Sequence, residues 1–137
     1  EEAKKAINKA NLRSRIKLIH ASIQKIGPME KEYAIVMSNS LLHHLHDPMV
    51  LWELVKKVKG SPIIFVMDLA RPKNKEEVED LVHKYAREEP KILQRDFRNS
   101  LKAAFTPKEV ISQLRYAGLK SLKVSTVSDR HFVITNS

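Results

Sequence analysis

Tyr33–Pro48, which reads YAIVMSNSLLHHLHDP, is followed after a helical stretch by Ser61–Pro72, which reads SPIIFVMDLARP. Each segment contains a short continuous apolar run, and such runs are typical of strands buried on both faces of a parallel sheet. Asp47-Pro48 predicts a helix start between them, because aspartate caps helices and proline fits the first turn. Gly60 predicts the end of that helix. This pattern of strand, helix and strand predicts an α/β fold with a mostly parallel sheet.

The residues upstream predict a helix and one more strand. Glu1–Leu12 carries small and apolar residues at helical spacing between charged ones. Arg15–Ala21 (RIKLIHA) alternates apolar and polar residues, which favours a strand. Gly27-Pro28 predicts a break in the chain before Tyr33.

The residues downstream predict three helices and a closing β-hairpin. The first two helices are expected at Asn74–Arg87 and about Pro90–Ala104. Thr106–Ala117 has a capping threonine, a proline next to it, a glutamate at the capping-box position and a glycine just past its end. Leu119–Val127 and Arg130–Thr135 predict two antiparallel strands joined by a Ser-Asp turn.

Length and composition indicate one soluble domain spanning residues 1–137, with 42% hydrophobic and 30% charged residues. The chain contains no cysteine, which excludes disulfides and thiolate chemistry. No apolar run is long enough for a membrane span and the first residues do not form a secretory leader, so a cytoplasmic location is expected. No Gly-x-Ser-x-Gly elbow or Walker loop supports hydrolysis or phosphoryl transfer.

The formal net charge of +9 raises the question of an anionic partner. The 25 lysines and arginines are scattered, and most alternate with acids or fall on polar helix faces. We interpret the charge as serving solubility or an anionic small molecule, with nucleic acid as the less favoured partner.

YAIVMSNSLLHHLHDP and SPIIFVMDLARP together resemble the middle of a class I S-adenosylmethionine-dependent methyltransferase. SNSLLHH, between a buried strand and a helix that opens with Asp-Pro, is the most specific part. The helix ending in Ala117–Leu119 and the two strands after it are similar to the way such domains end. The resemblance runs from the third strand of that family onward. It implies a Rossmann-like methyltransferase fold, S-adenosylmethionine as cofactor and a small-molecule methyl acceptor.

The resemblance also implies that the domain is partial and truncated at its N-terminus. The family holds its cofactor with a Gly-x-Gly turn after the first strand, and the three glycines here (Gly27, Gly60 and Gly118) form no such turn. At the end of the third strand, where the family commonly has an adenine-binding acid, this sequence has Ser22. By the same resemblance Ser22 accepts one hydrogen bond from the adenine and Ile23 covers its face.

Ser38, Asn39 and Ser40 follow a buried strand, at the edge where open α/β sheets bind ligands. The resemblance implies that this loop contacts the methionine part of the cofactor and faces the acceptor. A polar loop that only leaves the strand is the structural alternative.

The histidines of His43-His44-x-His46 are not predicted to form a metal site, because adjacent histidines do not readily converge on one ion. An imidazole can take a proton near neutral pH, which makes His44 the candidate general base. His43, the residue before it, is a candidate for binding the acceptor. The alternative is that these histidines pack under the loop or face solvent.

Charged residues that follow the second segment are further candidates for substrate binding. Asp68 and Arg71 bracket the end of a strand, where they could pair with each other or bind a polar substrate. Arg98 falls in an insertion that the family often uses as a lid over the acceptor, although a solvated helix face explains it as well.

The missing strands predict an open edge on the YAIVM strand, and open edges promote association. RIKLIHA could move beside that strand, or a second chain could cover it, so a homodimer is possible. A non-catalytic fragment or interaction module is therefore the main alternative to an enzyme. A basic RNA-associated domain is the third.

Overall fold

The computed structural model describes residues 1–27 and 31–137. The break expected at Gly27-Pro28 lies partly outside these residues. The five helices of the described chain are α1 (Glu2–Lys9), α2 (Met49–Lys56), α3 (Lys75–Ala86), α4 (Lys91–Ala103) and α5 (Pro107–Ala117). The four strands are β1 (Ile35–Asn39), β2 (Ile63–Leu69), β3 (Lys123–Thr126) and β4 (His131–Thr135). Single 3-10 turns lie at Ile23–Lys25 and Leu42–His44.

The four strands form one mixed sheet in the order β1-β2-β4-β3. β1 and β2 run parallel, and Ile35 lies opposite Ile63. β4 pairs antiparallel with both β2 and β3. The predicted α/β class and the closing hairpin are confirmed, and the sheet contains one parallel and two antiparallel pairs.

One face of the sheet is covered by α2 and α5 and carries the larger core. Its centre is fully buried, with Trp52 of α2, Val110 of α5 and Phe132 of β4. Trp52 is therefore a core residue, as its apolar neighbours in the sequence indicate. This layer holds β1, β2 and β4 together on one side.

The opposite face is covered only in part. α3 and α4 pack together against the end of β2, where Leu69 meets Leu81 and Leu101. Nearer to β1 no described helix lies over this face, and Ile35 is 57% exposed and Met37 72% exposed. The prediction that this strand is buried on both faces is therefore wrong, because only one helical layer reaches it.

The prediction of a strand at Arg15–Ala21 is also wrong. These residues form no strand, and Ile16, Leu18 and Ile19 are exposed. They do not pair with β1, whose strand partner among the described residues is β2. Alternating apolar residues form a strand only where a neighbouring strand satisfies their backbone, and no described strand does so here.

Helix ends follow the local chemistry of the sequence. α5 has a complete capping box: Thr106 accepts from the Glu109 backbone, and the Glu109 carboxylate accepts from Thr106 N at 2.7 Å. Gly118 ends this helix with a left-handed φ of 76°. Asn74 caps α3 by accepting from Glu77 N at 2.8 Å. Asp47 accepts from Met49 N at 2.9 Å at the start of α2.

Changing Thr106 to alanine should destabilise the protein by about 1 kcal/mol, because a backbone N–H of the first turn loses its acceptor. Thr106→Ser keeps the hydroxyl and should cost much less. The urea midpoints of the two variants measure the difference. Equal losses for serine and alanine would show that the capping hydroxyl does not stabilise α5.

Among the described residues, no helix combines the length and apolar character needed to cross a bilayer.

Candidate functional site

The loop that leaves β1 makes a sharp turn over the end of β2. Ser40 adopts a φ of 54°, in the left-handed region that is uncommon for residues other than glycine. Its backbone N–H donates to Met67 O at 3.0 Å. The turn therefore keeps the polar residues after β1 beside the carboxyl end of β2.

Asp68 is the polar residue at the centre of this edge. It follows Ile64 and Val66 in the alternation of β2, so it points into the larger core, where it is 1% exposed. One carboxylate oxygen accepts from Leu42 N at 2.7 Å, and the other accepts from Leu69 N at 2.8 Å. These bonds tie the 3-10 turn after β1 to the end of β2.

His43 completes the hydrogen bonding of Asp68. Its Nδ1 lies 2.5 Å from Asp68 Oδ1, and the two side chains are 3% and 1% exposed. A carboxylate only accepts, so Nδ1 carries the hydrogen and a neutral ring keeps its lone pair on Nε2. Among the described residues, no hydrogen bond reaches Nε2. The pair fixes the orientation of the His43 ring.

His44 lies on the other side of this pair and is exposed. Its ring packs on the His43 ring, with the centroids 4.0 Å apart and the planes tilted by 40°. His46 is also exposed. The structure therefore brings His43, His44 and Asp68 together, with His43 buried and His44 open to solvent.

Arg71 is turned toward α5 and pairs with the Glu109 carboxylate. Its backbone N–H also donates to Phe105 O at 3.1 Å. Burial works to raise the pKa of Glu109, but the bonds from Thr106 and Arg71 outweigh it and hold that pKa below its usual range. Arg71 therefore pairs with Glu109 and not with Asp68, which was one of the two alternatives for it.

Arg98 is engaged on the helical layer formed by α3 and α4. It makes a two-pronged ion pair with Glu79, at 2.6 Å and 2.8 Å. The hydrogen bond from Arg98 lowers the pKa of Glu79 below its ordinary value. This pairing engages the guanidinium of Arg98 with Glu79 in the described structure.

The remaining candidates lie on two segments of the chain. Ser22 is exposed, and Ile23 packs on the larger core beside the start of α2. Asn39 and Ser40 are exposed at the end of β1, while the Ser38 hydroxyl is buried and has no hydrogen-bond partner among the described residues. Such hydroxyls are rare in folded proteins.

Sequence reasoning did not identify an apolar groove of about 630 Å³ between the starts of α2 and α5. Its wall residues are Pro48, Met49, Phe105, Lys108, Glu109, Ser112, Gln113 and Tyr116. Gln113 also accepts from the Trp52 indole at 3.0 Å, which anchors the groove to the core. The volume suits a drug-sized small molecule.

No family model matches the chain, and no curated protein matches it. Several solved structures do match the chain in fold. The plantazolicin methyltransferase BpumL, solved in complex with a triazolic desmethylPZN analog and SAH, aligns with a TM-score of 0.71 and 15% identity. That alignment covers 100% of this chain and 65% of BpumL.

Two further structures give the same result. A SAM-dependent methyltransferase from Aquifex aeolicus aligns with a TM-score of 0.63 and 16% identity, covering 97% of this chain and 60% of that one. An O-methyltransferase family protein from Burkholderia thailandensis aligns with a TM-score of 0.59 and 15% identity. That alignment covers 97% of this chain and 39% of that one. The chain thus spans less than two thirds of the length of these relatives. Over that length, it has the fold of the S-adenosylmethionine-dependent methyltransferases.

Proposed function

We propose that this chain belongs to an S-adenosylmethionine-dependent methyltransferase that acts on a small molecule. The observation that carries the proposal is the convergence of the loop after β1 and the His43–Asp68 pair at the carboxyl edge of β1 and β2. That edge is where ligands bind in open α/β sheets. The proposal is supported by a fold shared with methyltransferases, one of which was solved with SAH.

The loop after β1 has the properties required of a cofactor contact. Methyl transfer depends mainly on holding the acceptor, the methyl group and the sulfonium in line, so rigid positioning matters more than covalent help. Ser38, Asn39 and Ser40 would contact the methionine part of S-adenosylmethionine. Ser22 and Ile23 would face the adenine. The apolar groove beside Phe105 would take the acceptor.

The two adjacent histidines would have different roles, His44 as the general base and His43 as the residue that positions it. His44 is exposed to solvent, so it is our candidate to take the proton that the acceptor releases. His43 would act as a positioning residue, because Asp68 fixes its ring and His44 packs on that ring. Asp68, His43 and Arg71 would shape the acceptor side of the site. Arg98, whose charge Glu79 neutralises, would serve as part of a lid.

Calorimetric titration of the 137-residue chain with S-adenosylmethionine and S-adenosylhomocysteine tests the proposal, and both ligands should bind at one site. Ser40 provides a matched pair of variants. Ser40→Gly should bind as the unaltered chain does, since glycine accepts a positive φ freely. Ser40→Val should bind more weakly, by up to about tenfold, because a β-branched side chain is strained at a positive φ much more than serine is.

Absence of binding to the unaltered chain, with native circular dichroism, would sink the enzyme proposal for this chain. It would favour the second candidate, a non-catalytic interaction module. The observation behind that candidate is the uncovered apolar surface at Ile35 and Met37. Binding to RNA that weakens steeply as salt rises would instead favour the basic nucleic-acid module.

A further inference from the structure

The groove between the starts of α2 and α5 combines apolar walls with a small number of polar groups. Met49 and Phe105 contribute apolar surface to it, and both are half-buried and packed against the larger core. The wall is therefore built from side chains that the core of the described chain holds in place. Apolar walls with a few well-placed polar groups are the usual character of a small-molecule site.

Gln113 is the polar group of this wall whose orientation the core determines. The indole of Trp52, which is fully buried, donates to Gln113 Oε1 at 3.0 Å. An indole N–H only donates, so the amide oxygen faces Trp52 and the NH2 group lies on the side of the amide away from the indole. Because Gln113 also lines the groove, two N–H donors are held at the groove wall.

The other polar groups of the wall favour an anion. The carboxylate of Glu109 accepts from Thr106 N at 2.7 Å and pairs with Arg71, so its charge is already offset. The Ser112 hydroxyl donates to Lys108 O at 3.1 Å, which uses its hydrogen within α5. The ammonium of Lys108 adds a positive charge to the same wall. The groove therefore offers a ligand N–H donors and a positive charge.

We propose that the groove binds a flat apolar molecule that carries a carboxylate, and that the Gln113 NH2 group and the Lys108 ammonium hold this carboxylate. Charge-assisted hydrogen bonds of this kind are stronger than those between neutral groups. The net charge of +9 also attracts anions to the chain. The inference rests on the proposed function for one step only, namely that this class of molecule is the methyl acceptor.

The position of Gln113 makes the carboxylate a handle and not the methylated group. Phe105 marks the end of the groove nearest the candidate site, since it forms a bridge with Ala70, the residue after β2. Gln113 lies about 9 Å along the axis of α5 from the first residue of that helix. A hydroxyl or amine at the near end would receive the methyl group that S-adenosylmethionine supplies, leaving S-adenosylhomocysteine, and would release its proton to His44.

Titration calorimetry of the 137-residue chain with three probes tests the ligand class. A hydroxynaphthoate, naphthol and naphthylmethylamine share a flat ring system and differ in charge. The hydroxynaphthoate should bind at least about tenfold more tightly than naphthol, because its carboxylate gains charge-assisted hydrogen bonds. Naphthylmethylamine should bind most weakly. The preference for the hydroxynaphthoate should shrink as NaCl rises, because salt screens the charge of Lys108.

Gln113→Glu is the most informative variant, because it keeps an acceptor for Trp52 and replaces the NH2 group with a second carboxylate oxygen. It should lower the affinity for the hydroxynaphthoate about tenfold or more, leave that for naphthol unchanged and raise that for naphthylmethylamine. Lys108→Met should weaken hydroxynaphthoate binding by a smaller factor. Lys102→Met is its matched control, since Lys102 is exposed on α4 and is not part of the groove wall.

The single tryptophan of the sequence provides a readout at the site itself. Trp52 gives one indole N–H signal in a proton–nitrogen correlation spectrum. The hydroxynaphthoate should shift this signal, because it binds the same amide that accepts from the indole. Lys102→Met should show the same shift as the unaltered chain.

Equal affinity for the hydroxynaphthoate and naphthol, or binding of neither, overturns the inference. An unchanged preference in Gln113→Glu, or an indole signal that does not move, also overturns it. These titrations contain no S-adenosylmethionine, so they are separate from the test of the proposed function. A chain that binds S-adenosylmethionine without preferring the carboxylate keeps the proposed function and loses this inference. A chain that prefers the carboxylate without binding S-adenosylmethionine keeps the ligand class of the groove and loses the enzyme proposal.

Discussion

Asp68→Ala is expected to lower the free energy of unfolding by about 3–5 kcal/mol, as measured for variants that break a buried polar pair. The carboxylate accepts from Leu42 N, Leu69 N and His43 Nδ1, all at a buried position. Removing it leaves three buried donors without an acceptor, at roughly 1–3 kcal/mol each before relaxation. A loss of that size is a large part of the stability of an ordinary domain.

Urea unfolding followed by circular dichroism measures this loss, and the slope of the transition should remain unchanged. The urea midpoint of Asp68→Asn should fall between those of the unaltered chain and Asp68→Ala. The amide oxygen of asparagine still accepts a hydrogen bond, whereas its NH2 group faces another donor and cannot accept from it. Asp96→Ala is the matched control. Among the described residues, the Asp96 side chain accepts only from Arg95, its neighbour on the surface of α4. Its removal should therefore leave the urea midpoint unchanged.

A midpoint for Asp68→Ala close to that of Asp96→Ala would contradict the role assigned to the buried carboxylate. It would mean that the turn after β1 is held by packing alone. In that case the His43 ring would not be fixed, and its proposed support of His44 would lose its physical basis.

Helices were the part of this fold that the sequence predicted best, because their ends depend on neighbouring residues. For α5 the threonine, proline, glutamate and glycine predict its start and its end, and Thr106, Glu109 and Gly118 act as expected. Asn74 does the same for α3. These interactions reach only three or four residues along the chain, so the sequence itself contains both partners.

Strands were predicted less well because their burial depends on distant residues. Arg15–Ala21 has the alternation of a strand, yet it has no strand to pair with among the described residues. β1 has the apolar run of a strand covered on both faces, yet Met37 is 72% exposed and no helix of the described chain covers that side. An apolar pattern predicts what a segment can bury, whereas the rest of the molecule determines what it does bury.

The candidate site shows the same limit at the level of single side chains. Nothing local distinguishes His43 from His44, since they are adjacent and the loop has no regular period. The pattern that indicates a buried partner for one histidine lies in β2, where the alternation through Ile64 and Val66 directs Asp68 into the core. A carboxylate directed into a core requires donors, and the histidine nearest to it on the facing loop is the natural supplier.

Phe132→Ala is expected to cost about 3–5 kcal/mol, because it deletes a fully buried aromatic ring. Phe132 lies directly opposite Asp68 in the pairing of β4 with β2. Side chains at such positions have Cβ atoms roughly 5 Å apart on the same face. The cavity would therefore open beside the carboxylate that holds His43 and the turn after β1.

Phe132→Leu is the matched control, since it keeps an apolar side chain in place and should cost well under the alanine change. The double variant Asp68→Ala/Phe132→Ala should lose less than the sum of the two single losses, because each change lets water reach the groups that the other exposes. Urea midpoints of the unaltered chain, the two alanine variants and the double variant measure this coupling. Strict additivity would show that Asp68 and Phe132 act independently, and that the ring packed across the sheet does not shield the carboxylate.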